Sequence, residues 1–136
     1  MKVRYEVCTM PGGRRSNQDR WVVGRSVVEE REKTSGVWDT EVEPLLTAVD
    51  LWPYIDGYRS SDGSPVIKRV SVGGESGPGA RICDYSWVEA IHAQCIKNGI
   101  SFNYHQTGAK LIKDGKLYDI PRKLQHTQAH KAGLDT

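Results

Sequence analysis

A glycine-rich segment with one carboxylate and one guanidinium is the part of this 136-residue sequence best suited to hold a ligand. Residues 70–81 read V-S-V-G-G-E-S-G-P-G-A-R, so that four glycines flank Glu75 and precede Arg81. Glycine lets backbone N–H groups turn towards a ligand, and a helix N-terminus nearby would favour an anion. The segment therefore predicts a ligand-binding loop whose contacts come from Gly73, Gly74, Ser76, Gly77, Gly79 and Arg81.

A structural role for this loop is the alternative, because it lacks the Lys-Ser/Thr pair of a phosphate-binding P-loop. Glu75 either binds a ligand ammonium or hydroxyl and acts as acid or base, or it accepts loop N–H bonds and holds the turn. Arg81 either clamps a carboxylate or phosphate, or forms a surface ion pair. Spacing alone leaves both alternatives open.

Polar residues also follow the other predicted strands, at the point where each strand ends. Glu43 follows the strand predicted over residues 37–42, where Pro44 stops ladder pairing. His105 and Gln106 follow the strand predicted over 100–104, and Cys8 and Thr9 are at the end of one predicted over 3–9. Ligands of parallel α/β sheets bind beyond the carboxyl ends of the strands. We therefore predict Glu75, Glu43 and His105 as catalytic residues and Gln106 as a further ligand contact.

The elements that would position these residues are best defined in the second half of the chain. A strand over 67–72, a helix capped by Asp84 and ended at Asn98-Gly99, and the strand over 100–104 predict a right-handed βαβ unit. A helix is predicted over 17–33, and a turn-rich connection over 51–65. Residues 109–136 predict a type I′ hairpin at Asp114-Gly115, followed by a helix from Pro121. All belong to one domain, residues 1–136.

Composition and charge exclude several classes of protein. Nineteen basic and seventeen acidic side chains leave a net charge of +2, too little to argue for nucleic-acid binding. No apolar run approaches the roughly 20 residues that span a bilayer. The first ten residues carry charges and do not resemble a signal peptide, so a cytoplasmic protein without membrane contact is expected.

The potential metal ligands are few and poorly spaced. Cys8, Cys83 and Cys95 form no C-x-x-C pair, which argues against a disulfide framework, a cysteine zinc site or an iron–sulfur cluster in this chain. His126 and His130 have the four-residue spacing of helical ligands, but they lack the glutamate of an H-E-x-x-H motif and a third ligand. No metal site is predicted.

Several motifs together resemble the C-terminal half of a phage protein family of unknown function. They are the glycine-rich segment 73–81, Asp84-x-x-Trp87-Val88, Gln94-Cys95 and Gln106-Thr107-Gly108, with matching residues at 17–20, 43–46 and 114–133 in the same order. That family is named after bacteriophage gene products thirty-seven and sixty-eight. The resemblance implies a barrel related to radical S-adenosylmethionine enzymes. The expected fold is therefore α/β: a partial (half) TIM-like barrel of parallel βα units with a C-terminal β-hairpin and short helix.

The same resemblance implies S-adenosylmethionine and a [4Fe–4S] cluster for full-length relatives, whose N-terminal cysteine cluster is not found here. We expect no cofactor in this chain, which alone would be inactive and would supply contacts to a small-molecule or nucleotide substrate or to the cofactor. A non-catalytic remnant, or a ligand- or phosphate-binding module, is the alternative. An N-terminal half-barrel partner or self-association is expected to cover two open sheet edges. His105 stands where relatives commonly have lysine, so a cationic role there depends on pH.

Overall fold

The computed structural model describes residues 14–15, 20–23, 26–32 and 38–136. The predicted strand over 3–9, with Cys8 and Thr9, lies outside the described residues. In chain order the elements are β1 (Arg14–Arg15), β2 (Arg20–Val23), β3 (Ser26–Glu32), β4 (Trp38–Val42), α1 (Trp52–Gly57), β5 (Ile67–Gly73), β6 (Cys83–Asp84), α2 (Tyr85–Lys97), β7 (Ser101–Gln106), β8 (Lys110–Lys113), β9 (Lys116–Asp119) and α3 (Arg122–Lys131).

Three parallel strands form the part of the main sheet that the sequence predicted. β4, β5 and β7 are neighbours in that order, with Glu41 opposite Ser71 and Ser71 opposite Asn103. Helix α2 lies between β5 and β7 in the chain, which confirms the βαβ unit. Asp84 caps α2 as predicted, because its carboxylate accepts a hydrogen bond from the N–H of Ser86 at 2.9 Å.

The alternation of side chains along these strands separates the core from a polar face. Val70, Val72, Phe102 and Tyr104 are buried and belong to one apolar cluster with the inner face of α2. Successive residues of a strand point to opposite faces of the sheet. The alternate positions are polar and line the opposite face of the sheet: Asp39, Glu41, Arg69, Ser71, Asn103 and His105.

The helix predicted over 17–33 is wrong. β2 and β3 form an antiparallel pair in which Val22 lies opposite Val27, and Val23 opposite Ser26. β-Branched residues such as Val22, Val23, Val27 and Val28 favour extended backbone, and a central glycine makes a helix through the segment costly. The periodicity of the apolar positions had fitted either structure.

The half-barrel is not confirmed: among the described residues the fold is mixed α/β, with parallel strands and three helices. The described strands do not close into a barrel. β1, β2 and β3 continue the sheet beyond β4 with antiparallel pairing, so one edge of the parallel strands that we expected to be open is covered. Along β7, the N–H of Phe102 donates to Thr136 and the N–H of Tyr104 donates to Asp135, at 2.9 and 2.7 Å.

The C-terminal hairpin and helix are confirmed. Asp114 and Gly115 have φ angles of +53° and +76°, as a type I′ turn requires, and join β8 to β9. β8 also pairs with β6, which makes a second, three-stranded sheet. The connection over 51–65 is not made of turns alone, because it contains α1, whose first turn includes Pro53. Proline fits the first turn of a helix, where its missing N–H has no partner to lose.

Candidate functional site

Glu43, His105 and Gln106 meet at the carboxyl ends of the parallel strands. The Nε2 of Gln106 donates to Oε1 of Glu43 at 2.7 Å, and Nδ1 of His105 lies 3.1 Å from Oε2 of the same carboxylate. Glu43 and His105 are 62 residues apart in the chain. Two of the predicted strand exits, those of β4 and β7, therefore converge, and the catalytic role of Glu43 and His105 stays a prediction. We call these three side chains the rim cluster.

Backbone hydrogen bonds beyond the strand ends hold the rim cluster in place. The N–H of Leu45 donates to the carbonyl of Gly73 at 2.8 Å, and the N–H of Gly74 donates to the carbonyl of Gln106 at 3.1 Å. Gln106 also donates through Nε2 to the carbonyl of Gly74 at 3.0 Å. Gln106 is thus anchored at the backbone while it orients the carboxylate of Glu43.

Gly73 and Gly74 are needed for space rather than for an unusual φ. A Cβ on Gly73 would lie 2.7 Å from the carboxyl carbon of Glu43, so the missing side chain makes room for that carboxylate. A Cβ on Gly74 would overlap the carbonyl oxygen of Thr107 and lie 2.9 Å from Cα of Gly108. The first glycine therefore accommodates a side chain of the rim cluster, and the second allows two backbone segments to pack together.

The rim cluster keeps capacity for a ligand. The side chains of Glu43 and His105 are 28% and 46% exposed. A carboxylate has about four lone-pair positions, and Gln106 and His105 use one position each. An ammonium or hydroxyl group approaching from solvent can reach the remaining positions. Chemically, the arrangement can bind a cation or a hydroxyl, or take a proton from it.

Glu75 and Arg81 are paired with each other. The Nε of Arg81 donates to Oε1 of Glu75 at 2.9 Å, its Nη2 donates to Oε2, and its backbone N–H donates to Oε1 at 3.0 Å. These hydrogen bonds from Arg81 lower the pKa of Glu75 from 4.5 to about 2. The carboxylate is therefore ionised throughout the neutral range, and the guanidinium of Arg81 is already paired with it rather than free to bind an anion.

The rest of the glycine-rich loop surrounds this pair. Gly77 and Gly79 have φ angles of +92° and +74°, a conformation that glycine adopts without steric cost, and Ser76 lies before them. The carbonyl of Glu75 accepts from the N–H of Ala109 at 2.8 Å, which ties the loop to the segment after β7. The N-terminus of α2 that follows already holds a carboxylate, that of Asp84. The role of these residues in ligand binding stays a prediction.

His126 is a neighbour of the rim cluster that the sequence analysis considered only as a metal ligand. Its ring contacts the ring of His105 edge-on, with centroids 4.7 Å apart, and its Nδ1 lies 2.9 Å from the carbonyl of His105. His130, one turn later, lies 2.8 Å from Asp135 instead. No sequence pattern placed His126 beside His105, because the contact depends on how α3 packs on β7.

The described residues offer neither a metal site nor an exposed thiol. No group of three His, Cys, Asp or Glu side chains there could hold a metal ion. Cys83 and Cys95 are fully buried, and burial raises the pKa of each thiol to about 12. None of the described helices has the length and apolar character needed to cross a bilayer.

Comparison with known proteins gives a family and no activity. The family described as "Protein of unknown function (DUF5131)" matches residues 19–134, so the chain belongs to that family. No curated protein and no solved structure matches the chain significantly. The match begins before β2 and includes the rim cluster and the glycine-rich loop.

Proposed function

We propose that this DUF5131 chain contributes a binding site for a small polar ligand at the carboxyl ends of its parallel strands. The ligand carries an ammonium or hydroxyl group, which Glu43 accepts, while His105 and Gln106 hold the carboxylate in position. The observation that carries the proposal is the convergence of these three side chains from strand exits 62 residues apart. Partly exposed polar groups that converge from several strands are typical of binding sites in parallel α/β folds.

The resemblance to radical S-adenosylmethionine enzymes suggests the larger protein to which such a site belongs. In this proposal the chain is the substrate- or cofactor-binding part of a radical-SAM-like barrel of phage or prophage type. S-Adenosylmethionine carries an ammonium group and ribose hydroxyls, which suit a carboxylate such as that of Glu43. An N-terminal half-barrel or a second copy as partner, and a cytoplasmic location, remain predictions.

The residues present do not fit a [4Fe–4S] cluster in the described part of the chain. Such a cluster is held by cysteine thiolates grouped together. Cys83 lies in β6 and Cys95 in α2, both are buried, and the pKa of about 12 keeps each thiol protonated. We therefore assign no reductive cleavage of S-adenosylmethionine to these residues, and limit the proposal to binding.

Isothermal titration with S-adenosylmethionine tests the site. We expect saturable binding to the wild type and about tenfold weaker binding to Glu43→Gln, because a charge-assisted hydrogen bond to the ligand becomes a neutral one. Glu89→Gln is the matched control, since Glu89 is an exposed carboxylate on α2. It should bind as the wild type does.

Two results would contradict the proposal. One is equal affinity of Glu43→Gln and the wild type, and the other is no binding to the wild type. A parallel titration with inorganic phosphate addresses the alternative of an anion-binding module. Phosphate binding that persists in Glu43→Gln and disappears in Arg81→Ala would favour that alternative. The structure argues against it, because Glu75 already engages Arg81 and Asp84 already caps α2.

A further inference from the structure

A pocket lies on the helix side of the sheet, between the start of α2, the β8–β9 hairpin and α3. It encloses about 280 Å³, and its wall includes Tyr85, Tyr104, Leu111, Tyr118, Lys113 and Lys131. Tyr104 is buried and precedes His105 on β7, where successive side chains point to opposite faces. The pocket is therefore separate from the rim cluster.

The wall of the pocket offers flat apolar surface. The rings of Tyr85 and Tyr104 are 6.2 Å apart between centroids and inclined at 47°. Leu111 is buried beside them, and Tyr118 is partly exposed on the hairpin. Ligand pockets usually measure about 300–1,000 Å³, so this volume suits a ligand of about one ring.

Two lysines, Lys113 and Lys131, line the pocket. The Nζ of Lys113 lies over the ring of Tyr85, 4.6 Å from its centroid, and Lys131 stands in the last turn of α3. Neither lysine forms an ion pair with another described residue. Burial raises the pKa of Tyr85, and the charges of Glu89 and Asp114 raise it further, but no carboxylate of a described residue lines the pocket. The two ammonium groups are thus available to an anion.

The hydroxyl of Tyr104 gives an independent indication of a polar partner. It is buried and has no hydrogen-bond partner among the described residues. A buried hydroxyl without a partner is costly, and native structures seldom leave one unsatisfied. A polar atom on a ligand in this pocket would supply the partner.

We propose that this pocket binds a monocyclic aromatic carboxylate with a hydroxyl on the ring. The ring packs against the tyrosines and Leu111, the carboxylate meets Lys113 and Lys131, and the ring hydroxyl pairs with that of Tyr104. 4-Hydroxybenzoate is the probe of this class. Benzoate lacks the hydroxyl and phenol lacks the carboxylate, so the three probes separate the contribution of the hydroxyl to binding from that of the charge.

Titrations followed by NMR of the methyl groups of Leu111 and Ile120, both in the wall, test the proposal. We expect 4-hydroxybenzoate to bind with a dissociation constant of about 1 mM, the ordinary efficiency for a ligand of this size. Benzoate and phenol should each bind about fivefold more weakly, because each loses one polar interaction.

Substitutions then assign each interaction. Lys113→Met should weaken the binding of both carboxylates about fivefold and leave that of phenol unchanged. Lys123 is an exposed lysine of α3, and Lys123→Met should change the binding of none of the probes. Tyr104→Phe should abolish the preference for 4-hydroxybenzoate over benzoate. Thermal unfolding of each variant shows that it is folded. The proposal is overturned by no saturation, by shifts confined to residues around Glu43, or by a preference that survives Tyr104→Phe.

Discussion

The rim cluster and the glycine-rich loop are both built from strand-exit residues, yet they differ in what remains available to a ligand. In the loop, Glu75 and Arg81 are six residues apart and satisfy each other through several hydrogen bonds. In the rim cluster, Glu43 and His105 are 62 residues apart and both remain partly exposed. A pair formed within one loop thus leaves little for a ligand to bind, whereas groups brought together from distant segments keep unused hydrogen-bonding positions.

The two glycines between these regions provide the sharpest way to separate them. Gly74→Ala should have the largest effect, because the added Cβ meets the backbone of Thr107 and Gly108, which cannot turn away. We expect the free energy of unfolding in urea to fall by about 3 kcal/mol. Gly77→Ala is the control, since its Cβ meets open space and only its φ of +92° is strained, at about 1 kcal/mol. Equal losses in the two variants would show that the close packing at Gly74 does not matter.

Gly73→Ala should have a smaller effect on stability and a large one on binding. Its Cβ meets the carboxylate of Glu43, a flexible side chain that can move aside. We expect a loss of about 1 kcal/mol in unfolding free energy, and about tenfold weaker S-adenosylmethionine binding, as for Glu43→Gln. The double variant should bind no more weakly than either single one, because both remove the same interaction. If the losses of affinity in the two single variants add up in the double variant, Gly73 acts on binding by a route other than the position of Glu43.

The pair in the loop should produce the smallest effect, and one that depends on pH. The pKa of Glu75 is lowered from 4.5 to about 2, so its stabilisation is complete above about pH 4.5 and is lost as the pH falls through about 2. We expect Glu75→Gln to lower the free energy of unfolding by less than about 1 kcal/mol at neutral pH, and to approach the wild type near pH 2. Arg81→Ala should be destabilised over the same pH range, because it removes the partner of Glu75. Urea unfolding between pH 2 and 6 measures this.

The same two variants decide whether the loop is more than a structural junction. If the comparison holds, Glu75→Gln and Arg81→Ala leave S-adenosylmethionine affinity unchanged, whereas Glu43→Gln weakens it. If either loop variant weakens ligand binding as much as Glu43→Gln does, the pair opens on binding and the loop forms part of the site. Titration calorimetry of the three variants at one pH makes the comparison direct.

Several elements could be predicted from the sequence because their signals are local. The helix capped by Asp84, the strand from Ile67 and the turn at Asp114-Gly115 were predicted because a capping carboxylate, a β-branched run and a pair of residues suited to positive φ act within a few residues. The parallel βαβ unit followed from the same signals. Residues 17–33 were misassigned because Val-Val pairs around a glycine satisfy helical and extended patterns equally well.

Which polar groups remain available to a ligand depends on contacts that the sequence does not reveal. The sequence placed Glu43, Glu75, His105 and Arg81 at strand exits, but it could not show that Arg81 turns back onto Glu75 or that Gln106 turns to Glu43. Nor could the sequence show that His126 contacts His105, or that the hydroxyl of Tyr104 has no hydrogen-bond partner among the described residues. Hydrogen-bond partners are chosen by distances of a few ångströms between segments far apart in the chain. Those distances are set by the pairing of β4, β5 and β7 and by the packing of α3 on β7.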